Sequence, residues 1–110
     1  AEMSAIAKTP PPPYYAVIFT SVRTEGDGGF KQAAGEMEAL GYSQPGFLGA
    51  ESVRDISGVG IRISYWESLQ AIENWKNNTK HQDAQKMGQD IWYSSFATRV
   101  CKVEKIGMFK

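Results

Sequence analysis

The feature that most constrains this chain is a hairpin at its centre. Phe47 to Asp55 (FLGAESVRD) and Gly60 to Trp66 (GIRISYW) are two runs rich in β-branched and aromatic residues. Only the short stretch Ile56 to Val59, with its turn at Ile56 to Gly58, separates them, so the two strands are expected to run antiparallel. Whatever precedes and follows has to pack around that ribbon. Tyr15 to Val22 (YAVIFTSV) reads as an earlier strand, ended by the glycine-rich stretch Glu25 to Gly29. A helix is predicted from Gly29 to Leu40, with Phe30, Ala33, Ala34, Met37 and Leu40 on one face and Gly41 as its cap. Pro45-Gly46 is a turn signal before the hairpin.

After the hairpin, Ser68 can cap a short helix from Leu69 to Lys76, with Leu69, Ile72 and Trp75 facing inward. Thr79 and Gln82 have the spacing of a capping box, which starts another helix running to about Ile91. Ser95 to Glu104 (SFATRVCKVE) is a last strand. The order is strand, helix, strand, strand, helix pair, strand. That order predicts an α+β fold of the ferredoxin-like, split βαβ kind, with a four-stranded antiparallel sheet. Residues 1–13, with four prolines from Pro10 to Pro13, read as a flexible Pro-rich tail. Residues 14–110 read as the one folded domain.

Charge and cysteine content narrow the function classes. Twelve Lys+Arg balance twelve Asp+Glu. A neutral chain is not expected to bind nucleic acid or to anchor electrostatically to a membrane. No apolar run approaches the roughly 20 residues of a membrane span. One cysteine permits no internal disulfide, and no signal peptide is evident, so the protein is expected to be cytoplasmic. The neutrality hides a split: residues 1–60 carry four basic and seven acidic groups, residues 61–110 eight and five, giving −3 and +3.

The strands do not divide cleanly into an apolar and a charged side. Ile61, Ile63 and Tyr65 alternate with Arg62, Ser64 and Trp66. Phe96, Thr98 and Val100 alternate with Ala97, Arg99, Cys101 and Val103. Both faces of the sheet are therefore expected to be partly covered, one by helices and the other by a second copy of the chain.

Several segments together resemble the antibiotic biosynthesis monooxygenase-like (ABM) family. They are Gln44 to Ser52 (QPGFLGAES), Ile63 to Ser68 (ISYWES), Ala71 to Trp75 (AIENW) with His81 six residues further on, and Arg99 to Glu104 (RVCKVE). The resemblance covers about Tyr14 to Phe109. It implies a dimeric α+β barrel, and a homodimer. It also implies a cofactor-independent monooxygenase: a small aromatic, polyketide-like or quinol substrate supplies the electrons for oxygen, with no flavin and no metal. A haem-degrading branch of the family places a haem-ligating histidine ten residues after the tryptophan. That position is Gln85 here, and Thr20 and Ser21 stand where that branch has an assisting asparagine. Haem degradation is therefore not expected.

The candidate catalytic residues are His81, the sole histidine, and Trp75. His81 can act as a base or hydrogen-bond a substrate; equally, it can be a structural histidine near a helix start. Trp75 and Trp66 can wall an aromatic pocket or be plain core. Tyr65, Arg62, Trp92 and Tyr93 are candidate substrate-binding residues. Glu51, Arg54, Arg62 and Arg99 lie within strands, and a Glu51–arginine pair inside the dimer is one expectation for them. Cys101 reads as a buried strand residue. One histidine and one cysteine cannot build an ordinary zinc site. Gly26, Gly28 and Gly29 lack the following Lys–Ser/Thr pair of a phosphate loop. The alternative to an enzyme is a non-catalytic dimeric small-molecule-binding or stress-response barrel.

Overall fold

Four antiparallel strands form one sheet in the order β2-β3-β1-β4. They are β1 (Tyr14–Arg23), β2 (Phe47–Arg54), β3 (Val59–Trp66) and β4 (Tyr93–Val103). Two helices connect them, α1 (Phe30–Tyr42) between β1 and β2, and α2 (Leu69–Lys76) after β3. The computed structural model describes residues 6–26, 28–78, 82, 83, 86 and 91–109. The expected helix starting at Thr79 falls mostly outside the described residues, as does His81. The split βαβ order is the predicted one: β3 lies between β1 and β2, which are joined through α1.

Local chemistry fixes the element ends. Ser68 caps α2, its Oγ accepting from Ala71 N at 3.0 Å, and Lys76 sits in the last turn, where the helix dipole favours a cation. Between β2 and β3, Asp55 Oδ1 accepts from Ser57 N, Ser57 Oγ and Val59 N. These bonds, led by the Ser57 hydroxyl, hold the Asp55 carboxyl below its ordinary value, against the opposing effect of desolvation. Gly46 takes a φ of 85°, and its carbonyl accepts from Glu67 N at 2.8 Å, tying the start of β2 to the end of β3. A side chain at Gly46 would also meet Ala71 Cβ at 2.6 Å.

The core is small. Among the described residues the buried hydrophobic side chains are Tyr14, Ala16, Trp66, Ala71 and Trp92. Trp66 is the hub: Phe47 meets it edge-on at 5.3 Å and Trp75 stacks on it at 6.2 Å, while its Nε1 donates to Ser64 Oγ. On α1, Phe30, Ala33, Met37 and Leu40 are half-buried as the spacing predicts, but Ala34 is exposed. On α2, Leu69 is exposed and Ala71 is buried, with Ile72 and Trp75 half-buried. The inward stripe is therefore shifted from the predicted Leu69, Ile72, Trp75 pattern, because Ala71 packs under the Gly46 turn where a larger side chain has no room.

Each outer strand carries one irregularity in register. In β2, Phe47 pairs with Trp66 but Gly49 pairs with Tyr65, leaving Leu48 as an extra residue. In β4, Ser95 pairs with Val22 but Tyr93 pairs with Arg23, leaving Ser94 extra.

Candidate functional site

The sheet has two unlike faces, assigned by alternation along each strand and by contacts. Trp66 stacks on Trp75 of α2, and Arg62 lies 4.0 Å from Glu38 of α1, so Trp66, Ser64, Arg62 and Gly60 face the helices. Through the register, Val17, Phe19 and Ser21 of β1 face the same way. Tyr65, Ile63 and Ile61 face the opposite, open side.

On the helical side, four rings form a continuous aromatic surface. Phe19 lies 5.3 Å from Tyr93 and 5.6 Å from Phe96, and Phe30 of α1 lies 5.8 Å from Tyr93. Phe30 also meets Trp92 edge-on at 5.8 Å. The β4 bulge makes this possible. Were Ser94 an ordinary ladder residue, Tyr93 would share the open face with Ser95; because Ser94 bulges out of register, Tyr93 joins Arg23 on the helical face.

Arginines border the rings. The Arg23 guanidinium sits 3.9 Å above the Phe30 ring and donates to the carbonyls of Trp92 and Gly26. Arg54 lies 5.9 Å from the Phe30 ring and 5.8 Å from that of Tyr93. Its Nη2 donates to Ser21 Oγ at 2.6 Å, and its Nη1 to the carbonyls of Ser21 and Gly58. Burial pushes the Tyr93 hydroxyl above its ordinary value, and Arg54, Arg23 and Arg62, in that order, pull it back.

Trp92 is buried and firmly held. Its Nε1 donates to Gly28 O at 2.8 Å, and its carbonyl accepts from Thr24 N, Thr24 Oγ1 and Arg23 Nη1. Trp92 thus fastens the loop after β1 to the start of β4.

The open face carries different chemistry. Tyr65 OH donates to Glu51 Oε1 at 2.6 Å, and Ala7 N donates to Glu51 Oε2 at 2.9 Å. Thr9 Oγ1 and Tyr14 OH share a bond of 2.7 Å. Part of the Pro-rich segment therefore lies on this face, over the buried Tyr14 and Ala16. Burial first, then the Glu51 hydrogen bond and charge, push the Tyr65 hydroxyl well above its ordinary value. Among the described residues, Glu51 bonds no arginine. Arg54 and Arg62 project to the other side of the sheet, and Arg99, in line with Glu51 across Ile63 and Ile18, is separated from it by two whole strands.

The structure thus brings together Arg62, Trp92 and Tyr93 on the helical side. Trp75 lies on that side too, against Trp66. Tyr65 is separated from all four by the sheet. Cys101 is exposed on the open face rather than buried, because β4 is an edge strand and nothing in the described chain covers it there. Among the described residues, an open depression of about 300 Å³ runs along β1 and β4, bounded by Thr20, Ser21, Phe96 and Arg99, and one of about 470 Å³ lies on α1 beside Met37 and Leu40. The sequence pattern alone does not mark Phe19 or Gly60, and it marks Phe30 only as a core position of α1.

Residues 13–87 match the family described as antibiotic biosynthesis monooxygenase. Over 108 residues the sequence is 50% identical to an uncharacterised protein, YqjZ, of Bacillus subtilis (strain 168), a match covering 98% of this chain and 95% of that one. Among solved structures, Rv0793 from Mycobacterium tuberculosis superposes with a TM-score of 0.74 at 11% identity, covering 86% of this chain and 99% of that one. SnoaB from Streptomyces nogalater, a cofactor-independent oxygenase, superposes with a TM-score of 0.73 at 11% identity, covering 86% and 97%. At such identities the structural likeness shows the fold alone. No helix among the described residues is long and apolar enough to cross a membrane.

Proposed function

Because the chain belongs to the antibiotic biosynthesis monooxygenase family, we propose that it is a cofactor-independent monooxygenase acting on a small aromatic, polyketide-like or quinol substrate. The observation that carries this reading is the aromatic surface of Phe19, Phe30, Tyr93 and Phe96 on the helical side of the sheet. Flat aromatic molecules lie well against such rings. The likeness to SnoaB, itself a cofactor-independent oxygenase, is in keeping with it.

The chemistry asks little of the protein beyond binding and proton handling. An anthrone methylene reacts with one O₂ to give a carbonyl and one water, and the substrate itself supplies the electrons. The protein has to hold the ring system, exclude water and take a proton from the substrate. In this proposal Arg62, Trp92 and Tyr93 contact substrate, Trp75 bounds the same face from its Trp66 end, and His81 is the base. Incubation with an anthrone under air, followed by mass spectrometry of the quinone product, tests the reading. We expect turnover above buffer, and a loss of roughly a hundredfold in His81→Ala. No rate above buffer overturns the enzyme reading and leaves a small-molecule-binding or stress-response protein of the same family.

We propose further that two copies pair through the open face as a homodimer. Val59, Ile61 and Val53 are 44%, 41% and 72% exposed there in the single chain. Light scattering at micromolar concentration should give about twice the chain's 12.2 kDa. A mass of one chain sinks the dimer.

A further inference from the structure

The helical side of the sheet holds a positioned cation whose hydrogen-bonding capacity is only partly used. Arg54 does not extend along its own strand. Its side chain crosses β3 at Gly60, its partner in register, to reach Ser21 of β1. Gly60 is what permits the crossing: a Cβ there would lie 2.6 Å from Arg54 Cζ and 2.9 Å from Nε. Ser21, only 1% exposed, clamps the far end. The guanidinium is thereby fixed beside Tyr93 and Phe30 before any ligand arrives. Its partners are a hydroxyl and two carbonyls, which leave its positive charge unpaired; among the described residues no carboxylate lies within ion-pair distance of it. Its Nε–H and the second Nη2–H have no partner among the described residues. Arg62, further along the same face, is offset only by Glu38 at 4.0 Å, both groups being substantially exposed.

We propose that this face binds a planar aromatic anion, its ring against Phe19, Tyr93 and Phe96 and its carboxylate or ionised phenol on the remaining donors of Arg54, with Arg62 alongside. A guanidinium fork suits two oxygens of one carboxylate better than a lone neutral oxygen. The inference narrows the substrate class of the proposed oxygenase and rests on the same site, but binding can be read without turnover.

The probe pair is 2-naphthoate and its neutral isostere 2-naphthamide, titrated calorimetrically at neutral pH. We expect the anion to bind about ten- to a hundredfold more tightly than the amide. Arg54→Gln should bring the anion down to the level of the amide and leave the amide unchanged. Gly60→Ala should do the same with Arg54 still present, because the added methyl displaces the guanidinium. Urea unfolding of each variant shows whether the fold is kept. If Arg54→Gln does not fold, Gly60→Ala and Arg62→Gln decide. Equal affinity for the two probes, binding of neither, or an anion preference that survives both Arg54→Gln and Gly60→Ala overturns the proposal. Neither probe is an oxidisable anthrone or quinol. Failure here therefore leaves the oxygenase reading standing, and a lack of anthrone turnover leaves this one standing.

Discussion

Trp66→Ala should cost about 3–5 kcal/mol of folding stability, read as a lowered urea midpoint with little change in slope. Domains of this size hold about 5–15 kcal/mol in all. The loss falls on one of the few fully buried side chains, 1% exposed, and it removes the packing of both Phe47 and Trp75 at once. Those two rings come from β2 and α2, so their partner is what holds an outer strand and a helix to the central β3. Trp66→Phe separates the contributions. It keeps a ring in place and loses the 3.0 Å bond from Nε1 to Ser64 Oγ, at about 0.5–1.5 kcal/mol for the bond plus the smaller ring's packing. An alanine variant with an unchanged midpoint would show that the ring cluster contributes no stability.

Trp92→Ala is expected to cost a similar 3–5 kcal/mol, by a different route. Trp92 is 6% exposed and joins two segments far apart in sequence. Its indole N–H bonds Gly28 O and its ring meets Phe30, at the entrance to α1. Losing the ring should also loosen Phe30 and the Arg23 guanidinium stacked on it. The near-ultraviolet circular dichroism should therefore change along with the midpoint, and naphthoate affinity should fall. Trp92→Phe keeps a ring but loses the bond to Gly28 O, at about 0.5–1.5 kcal/mol for the bond plus the smaller ring's packing. If the alanine variant keeps both its midpoint and its aromatic spectrum, Trp92 is not the fastening described.

The hairpin, α2 and the strand order were all legible from the residues. Periodicity and turn chemistry are local properties, and here they agree with the tertiary packing. The alternation in β3 also placed Tyr65 and Trp66 on opposite sides correctly. The relation of the candidate residues to one another was not legible. Arg62, Trp92 and Tyr93 were singled out together with Tyr65, although the sheet stands between Tyr65 and the rest. Nothing in YSSFATRV marks Ser94 as the residue that falls out of register, so a period of two, counted back from Phe96, puts Tyr93 on the wrong face. Arg54 was read as one more strand charge. Its role depends on a gap in the neighbouring strand, and Gly60 carries that information only once its pairing with Arg54 is known. Leu69 was expected inward because its spacing suits Ile72 and Trp75; the close packing beneath Gly46 selects Ala71 instead.

The extra residue Leu48 acts as a phase shift in β2. It is the reason Phe47 joins Trp66 on the helical side while Glu51 points to the open side and Arg54 back to the helices. Let Leu48 instead take the place opposite Tyr65 as an ordinary ladder residue, with Phe47 where it is: every side chain from Gly49 onward then changes sides. Glu51 would stand among the rings, and Arg54 would face out with the tail. The sign of the charge presented to a bound molecule is thus written in where an edge strand leaves one residue out of the ladder as much as in its composition. Flattening the bulge with every residue kept, a change of register and not of composition, would turn a site suited to anions into one suited to cations.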